Sequence, residues 1–240
     1  MTLAACSLTL TLGATTADLF GRGNAAYEAG QYAQAVALYD SALQTAGGAN
    51  LYYNRGNAHF KQGEVGRAIA DYARAYVRNP WDRDIRYNLA FARAYRPDKL
   101  LVIENPLVKA FTGLLRSLSL SLAHLLAGVF FLLAMAALAL LFIRGERLFG
   151  WVAVGLGVLF LYSFASSLSW NGEANHDRAV VVVPELTLRS GPGPDYKEIA
   201  VVHDGLEGAI RERRPGYVLI QMPGGQGGWA DTAAVEQIFR

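Results

Sequence analysis

The pattern of apolar and polar positions divides the chain into stretches of different texture. Ser117 to Ile143 contains no Asp, Glu, Lys or Arg, and neither does Leu148 to Gly172. Each exceeds the roughly 20 residues that span a bilayer as a helix, so both are predicted transmembrane helices. Only "RGER", Arg144 to Arg147, separates them, which predicts a tight hairpin with both flanking parts on one side of the membrane. Before this hairpin the apolar positions follow a helical period; after it, from Ala179, short β-branched runs alternate with Gly/Pro turns.

The helical part repeats itself. "RGNAAYEAG" at Arg22–Gly30 returns as "RGNAHFKQG" at Arg55–Gly63, and agreement at the same spacing continues at Ala35/Ala68, Tyr39/Tyr72 and Ala42/Ala75. Gly23 and Gly56 are expected where paired helices cross too closely for a side chain, and Gly30 and Gly63 in the turn between them. A third copy starts at Arg83, carries Ala90 in the glycine slot and breaks at "RPDKL", which reads as a single capping helix. This skeleton resembles the tetratricopeptide repeat. Two features depart from that pattern: Arg22 and Arg55 replace the usual leucine before the glycine, and "GGAN" replaces the proline that ends a unit.

Two and a half such units make five helices, near the lower limit for a self-standing solenoid, so a soluble partner or the hairpin is expected to complete it. The resemblance implies that the first helix of each pair lines a concave groove. That assigns Phe20, Asn24, Tyr27, Tyr53, Asn57, Phe60 and Tyr87 to a partner-binding groove, where asparagines hold the backbone of an extended peptide and aromatics cover its apolar side chains. The alternative is that the same aromatics only pack helix on helix.

The tail carries "LRSGPG", then Tyr196, then "GGW" at Gly227–Trp229 and a closing "VEQIF". In that order these resemble the bacterial SH3-like domain, implying a small all-β barrel of about five short strands, and some members of that family bind peptidoglycan. Trp229 and Tyr196 are expected in its core and Arg189 as a loop anchor. The expected architecture is thus a multidomain membrane protein: all-α tetratricopeptide-type repeats, a two-helix transmembrane hairpin and a small all-β SH3-like barrel. Its segments are 1–16 signal-like, 17–95 repeats, 96–116 linker, 117–143 first span, 144–147 loop, 148–170 second span, 171–178 linker and 179–240 SH3-like domain.

Charge and rare residues narrow the function. The formal net charge is +2, which excludes a strongly basic nucleic-acid binder. The one cysteine, Cys6, excludes an internal disulfide framework; it sits in "LAAC", a lipobox-like tetrapeptide within an apolar start that resembles the later part of a secretory signal, with small residues for cleavage between Ala14 and Ala17. The missing basic leader makes an upstream start codon the expectation. The basic residues of the short loop favour a cytoplasmic loop, while Lys109, Arg116 and Arg178 flank the opposite ends, so charge leaves the orientation open. The four histidines are scattered without metal-ligand spacing, His203-Asp204 reads as a surface pair, and no phosphate loop, nucleophile elbow or zinc motif occurs. No catalytic residue, cofactor or metal is therefore expected.

Signal-like start, repeats, hairpin and SH3-like end together resemble the BatE-like proteins of bacterial aerotolerance operons. The resemblance implies a two-pass protein of the bacterial cytoplasmic membrane with periplasmic soluble domains, working beside von Willebrand A domain membrane proteins and a MoxR-type ATPase. It leads to a non-enzymatic scaffold or adaptor whose groove binds a protein partner at the periplasmic face within an aerotolerance or envelope-stress complex. The alternative is a cell-wall (peptidoglycan) binding protein acting through the SH3-like domain.

Overall fold

The computed structural model describes residues 15–98, 105–170 and 177–239. The signal-like start through Ala14, with Cys6, and the linker residue His176 lie outside the described residues. Five helices come first: α1 (Thr16–Glu28), α2 (Tyr32–Leu43), α3 (Ala49–Lys61), α4 (Val65–Arg78) and α5 (Arg83–Tyr95). The glycines do what their slots demand. Gly30 and Gly63 take left-handed φ values of 76° and 82° in the turns that end α1 and α3. A Cβ on Gly23 would come within 2.5 Å of the Tyr39 ring, and one on Gly56 within 2.9 Å of the Tyr72 ring. Each tyrosine therefore lies flat on the glycine of its own helix pair. In the third copy Ala90, in the same slot, is exposed.

The segment 96–116, read from sequence as a connection, carries α6 (Pro106–Leu115), none of whose residues is buried. Then come α7 (Leu120–Arg144) and α8 (Arg147–Ser169), both long and apolar enough to cross a membrane. Gly145, at φ 68°, ends α7 and turns the chain back, so the two helices pack as an antiparallel hairpin. Both open ends of that hairpin meet at Trp170, which is fully buried: its indole Nε1 donates to the Leu118 carbonyl at 2.9 Å, and its ring meets Tyr76 of α4 edge-on at 5.3 Å.

The tail forms seven strands rather than the five expected: β1 (Arg178–Val181), β2 (Glu185–Arg189), β3 (Glu198–His203), β4 (Glu207–Arg214), β5 (Tyr217–Gln221), β6 (Gly227–Asp231) and β7 (Val235–Gln237). They pair antiparallel in the order β3-β2-β6-β5-β4-β1-β7. Among the described residues the ladder does not close, because β3 and β7 stand at its two edges. Leu186, Leu188, Val202, Leu206, Ile210, Val218, Ile220 and Ala230 fill its inner face. Tyr196 is not in that core. It is half-exposed, and its ring covers Gly191, where a Cβ would approach it to 2.3 Å. Arg189 anchors the loop, donating to the Tyr196 carbonyl and to Glu198, both at 3.0 Å.

The terminal sheet packs against the short solenoid and shares a core with α4, which also meets the open end of the hairpin through Tyr76 and Trp170. Val180 and Ile238 join Val65, Ile69, Ala73, Leu89 and Ala92 in one apolar core, so α4 is covered on both sides. Polar contacts lock this junction. The Asp204 carboxylate accepts from the Gly66 backbone N–H at 3.0 Å, capping a helix whose own N-cap residue, Glu64, supplies no side-chain cap. Glu207 is gripped by Arg93 through two bonds of 2.8 Å, by Arg178 at 2.7 Å and by Arg96 at 3.4 Å. Burial alone would push its carboxyl up, but the three guanidinium groups hold it below the usual carboxylate range. The His203 backbone N–H and its ring Nδ1 both meet Asp98, at 2.7 and 3.0 Å. The expected surface pair His203-Asp204 is thus two separate ties, Asp204 to α4 and His203 to Asp98 just beyond α5.

The arginine that departs from the repeat pattern has a structural task. Arg55 holds the fully buried Asp71 through Nε and Nη2, at 2.7 and 2.6 Å, and also meets Asp40. Asp71 takes a third bond from Arg74 at 2.8 Å, and Arg74 continues to the carbonyls of Ile238 and Gln237 at 2.7 and 2.8 Å. A leucine at position 55 would leave Asp71 without two of its hydrogen bonds in the interior, at a cost of order 3–5 kcal/mol. Among the described residues Arg22, the first copy's equivalent, makes only an exposed pair with Asp18.

Candidate functional site: the repeat groove

The inner helices α1, α3 and α5 stand side by side, and the tie between neighbours is an asparagine relay. Asn24 Oδ1 accepts from the Tyr39 hydroxyl at 2.8 Å and from Asn54 Nδ2 at 2.9 Å. One repeat later Asn57 Oδ1 accepts from the Tyr72 hydroxyl at 2.7 Å and from Asn88 Nδ2 at 2.9 Å. Each relay joins both helices of a pair to the first helix of the next. Burial and the nearby Tyr27 push the Tyr39 phenol up to about 12, and burial with neighbouring tyrosines raises Tyr72 as well, so both remain protonated donors across the physiological range.

The relay changes what the asparagines can offer a ligand. Their side-chain carbonyls are committed to the fold, which leaves the amide N–H groups of Asn24 and Asn57 as the groups that can face outward. They can donate to the carbonyls of an extended chain but cannot also accept from it.

Of the expected groove residues, Tyr27, Tyr53, Asn57, Phe60 and Tyr87 line a single cavity of about 330 Å³, with Tyr72, Asn88 and Phe91. Asn24 lies in an adjoining cavity of about 220 Å³ that shares Tyr27 and Asn57. Phe20 lines neither; it packs on Tyr39 at 6.1 Å in the core of the first pair. The structure adds residues that sequence spacing did not assign. Tyr87, Phe91 and Tyr95, one helical turn apart on α5, stack in a row with ring centroids 6.1 and 6.3 Å apart and planes within 17° and 20°. Phe60 meets Phe91 and Tyr95 edge-on at 5.7 and 5.5 Å. The signal for Asn88 and Phe91 was present in the sequence: with Ala90 in the glycine slot they align with Asn54 and Asn57, so Phe91 occupies an asparagine slot.

The row is open to solvent, Tyr87 being 67 % exposed and Tyr95 64 %. Such a contiguous aromatic face is unusual on a surface that has no partner. Residues 20–84 match the family model of the tetratricopeptide repeat. No curated protein matches the chain. The matched span ends inside the third copy, so it covers α2, α3 and α4, most of α1 and only the start of α5. Tetratricopeptide repeats typically serve as protein-interaction scaffolds and not as enzymes. Chemically the groove offers aromatic faces, amide donors and the Lys61 ammonium. Among the described residues no three His, Cys, Asp or Glu side chains converge as a metal site would. The buried His59 is bound to Glu64 at 2.6 Å.

Proposed function

We propose that the protein is a non-enzymatic scaffold, anchored in a membrane by α7 and α8, whose repeat groove grips an extended segment of a protein partner. The observation that carries this reading is the exposed aromatic row of Tyr87, Phe91 and Tyr95 beside the cavities lined by Asn24 and Asn57. Aromatic faces bury apolar side chains of a peptide while the amides of Asn24 and Asn57 bond its carbonyls. The row lies on α5, the last of the repeat helices before Asp98, and is exposed along its length.

The order of repeats, hairpin and terminal sheet resembles BatE-like aerotolerance proteins, which supports a bacterial cytoplasmic membrane location, soluble parts on the periplasmic face and a von Willebrand A domain partner. The terminal sheet belongs to the SH3-like class on this reading, used here to brace α4.

Replacing Asn24 and Asn57 would break the relay as well as the groove, so the aromatic row is the better target. Tyr87→Ala combined with Phe91→Ala in the full-length protein should cut co-purification of the von Willebrand A partner at least about ten-fold, as loss of a central aromatic anchor does. Unchanged recovery, with normal thermal stability of the variant, would refute the groove.

A further inference from the structure

The helix α6 touches α8 but buries none of its own residues, and that fact locates it. It begins correctly, with Asn105 Oδ1 accepting from the Leu107 N–H at 2.9 Å and Pro106 in the first turn. Yet none of its ten residues is buried, and Leu107, at 80 %, and Phe111, at 61 %, are exposed together with Val108 and Leu114. An isolated helix of ten residues is marginal in water, and most helices owe their stability to an apolar face that is covered. At 100° per residue the side chains of Leu107, Val108, Phe111, Leu114 and Leu115 fall on one arc, while Lys109, Thr112 and Gly113 fall on the opposite one.

The C-terminal end of α6 is tied to the open end of the α7–α8 hairpin. The Tyr162 hydroxyl donates to the Leu114 carbonyl at 3.0 Å and meets Ser117 Oγ at 2.5 Å. The Arg116 guanidinium donates to the Ser169 carbonyl at 3.0 and 3.2 Å and lies over the Trp170 ring at 5.6 Å. Tyr, Trp and Arg gathered at the end of two long apolar helices are the residues that settle at a membrane–water interface. α6 therefore leaves the hairpin at that level, and at about 15 Å of length it cannot span a bilayer.

We propose that α6 is an in-plane interfacial helix: its apolar arc, centred on Phe111, lies in the boundary between lipid headgroups and acyl chains, and Lys109 faces the headgroups. The occupant of this exposed face is the bilayer, because α6 packs on the long apolar helix α8 and is tied to its interfacial end through Tyr162. This inference rests on reading α7 and α8 as membrane spans. Its consequence is geometric: α6 joins Trp170 in fixing the depth and tilt of the repeats, since Trp170 also holds Tyr76 of α4.

The test uses the full-length protein in a Cys6→Ser background, reconstituted in phosphatidylcholine–phosphatidylglycerol vesicles. A polarity-sensitive label is placed in turn at Phe111→Cys, Leu107→Cys, Lys109→Cys and, as a reference within α7, Leu132→Cys. Labels at 111 and 107 should be quenched by shallow nitroxide lipids about three-fold or more beyond the label at 109, which should respond to aqueous iodide. Iodide access at 107 and 111 with a lipid-quenched label at 132 would overturn the in-plane helix alone. Equal lipid quenching at 109 and 111 would also overturn it, by placing α6 among the acyl chains. An iodide-accessible label at 132 would overturn the membrane reading of the hairpin itself.

Discussion

The helices α2 and α4 are the same element of successive repeats, and they live in different surroundings. α2 buries only Ala35, Tyr39 and Ala42, the face it turns to its own partner. α4 buries those equivalents and seven further residues, among them Gly66, Ile69 and Asp71. The difference comes from the sheet laid against the outer side of α4, and three substitutions between the copies fit it. Exposed Ala33 becomes Gly66, Leu38 becomes Asp71, and Ser41 becomes Arg74, which reaches the carbonyls of Gln237 and Ile238. A repeat can therefore keep its internal skeleton while its outer face is rewritten for a neighbour.

Exchanging residues between the copies is the direct way to break this comparison. Asp71→Leu, which installs the first copy's residue, should have the largest effect. It leaves the Arg55 and Arg74 guanidiniums without their shared partner and should cost about 3–5 kcal/mol, read from chemical denaturation of the detergent-solubilised protein. Gly66→Ala comes next. Its Cβ would fall 2.0 Å from the Val181 carbonyl and 2.5 Å from the Asp204 carboxylate, so the sheet must back away from α4. The expected loss is about 1–3 kcal/mol, although alanine is the better helix former by about 1 kcal/mol.

The pH dependence sharpens the same contrast. Glu207 has its carboxyl held below the usual range in the folded protein, so its stabilising contribution is complete above roughly pH 5 and fades as pH falls through the lowered native value. Acid should accordingly loosen the sheet from α4 and α5 before it disturbs α1–α2, a sequence that hydrogen exchange at successive pH values can follow. Asp204→Ala removes only the borrowed cap of α4 and should cost about 1 kcal/mol. Smallest of all, Ala33→Gly at the uncovered equivalent of Gly66 should cost about 0.5–1 kcal/mol, the intrinsic penalty of glycine in a helix. A loss at position 33 equal to that at 66 would show that the sheet is not what makes the two copies differ.

Much of the fold was legible because its causes are local. Helix crossing at Gly23 and Gly56, the left-handed turns at Gly30 and Gly63, and the two charge-free stretches each follow from spacing along the chain. The groove was partly legible for the same reason: the repeat period carried Tyr27 to Phe60 and Asn24 to Asn57. It left out Asn88 and Phe91 of the third copy, because Asn88 has no asparagine counterpart in the first copy and Phe91 replaces one, and it included Phe20, whose ring packs in the core of its own pair. What sequence spacing could not show is which groups meet across long separations. Gly66 and Asp204 are 138 residues apart, and Arg74 and Ile238 are 164 apart.

By itself, then, the sequence determined the repeat unit, the presence of two helices long and apolar enough to cross a membrane, and a terminal domain of antiparallel strands, since periodicity and turn chemistry are written locally. Only the tertiary structure decided that the sheet packs on α4, that Arg55 serves a buried carboxylate, and that the asparagine carbonyls are bonded within the fold. Those outcomes depend on which surfaces exclude water together, and an uncompensated charge such as Asp71 is tolerable only once both arginines have arrived.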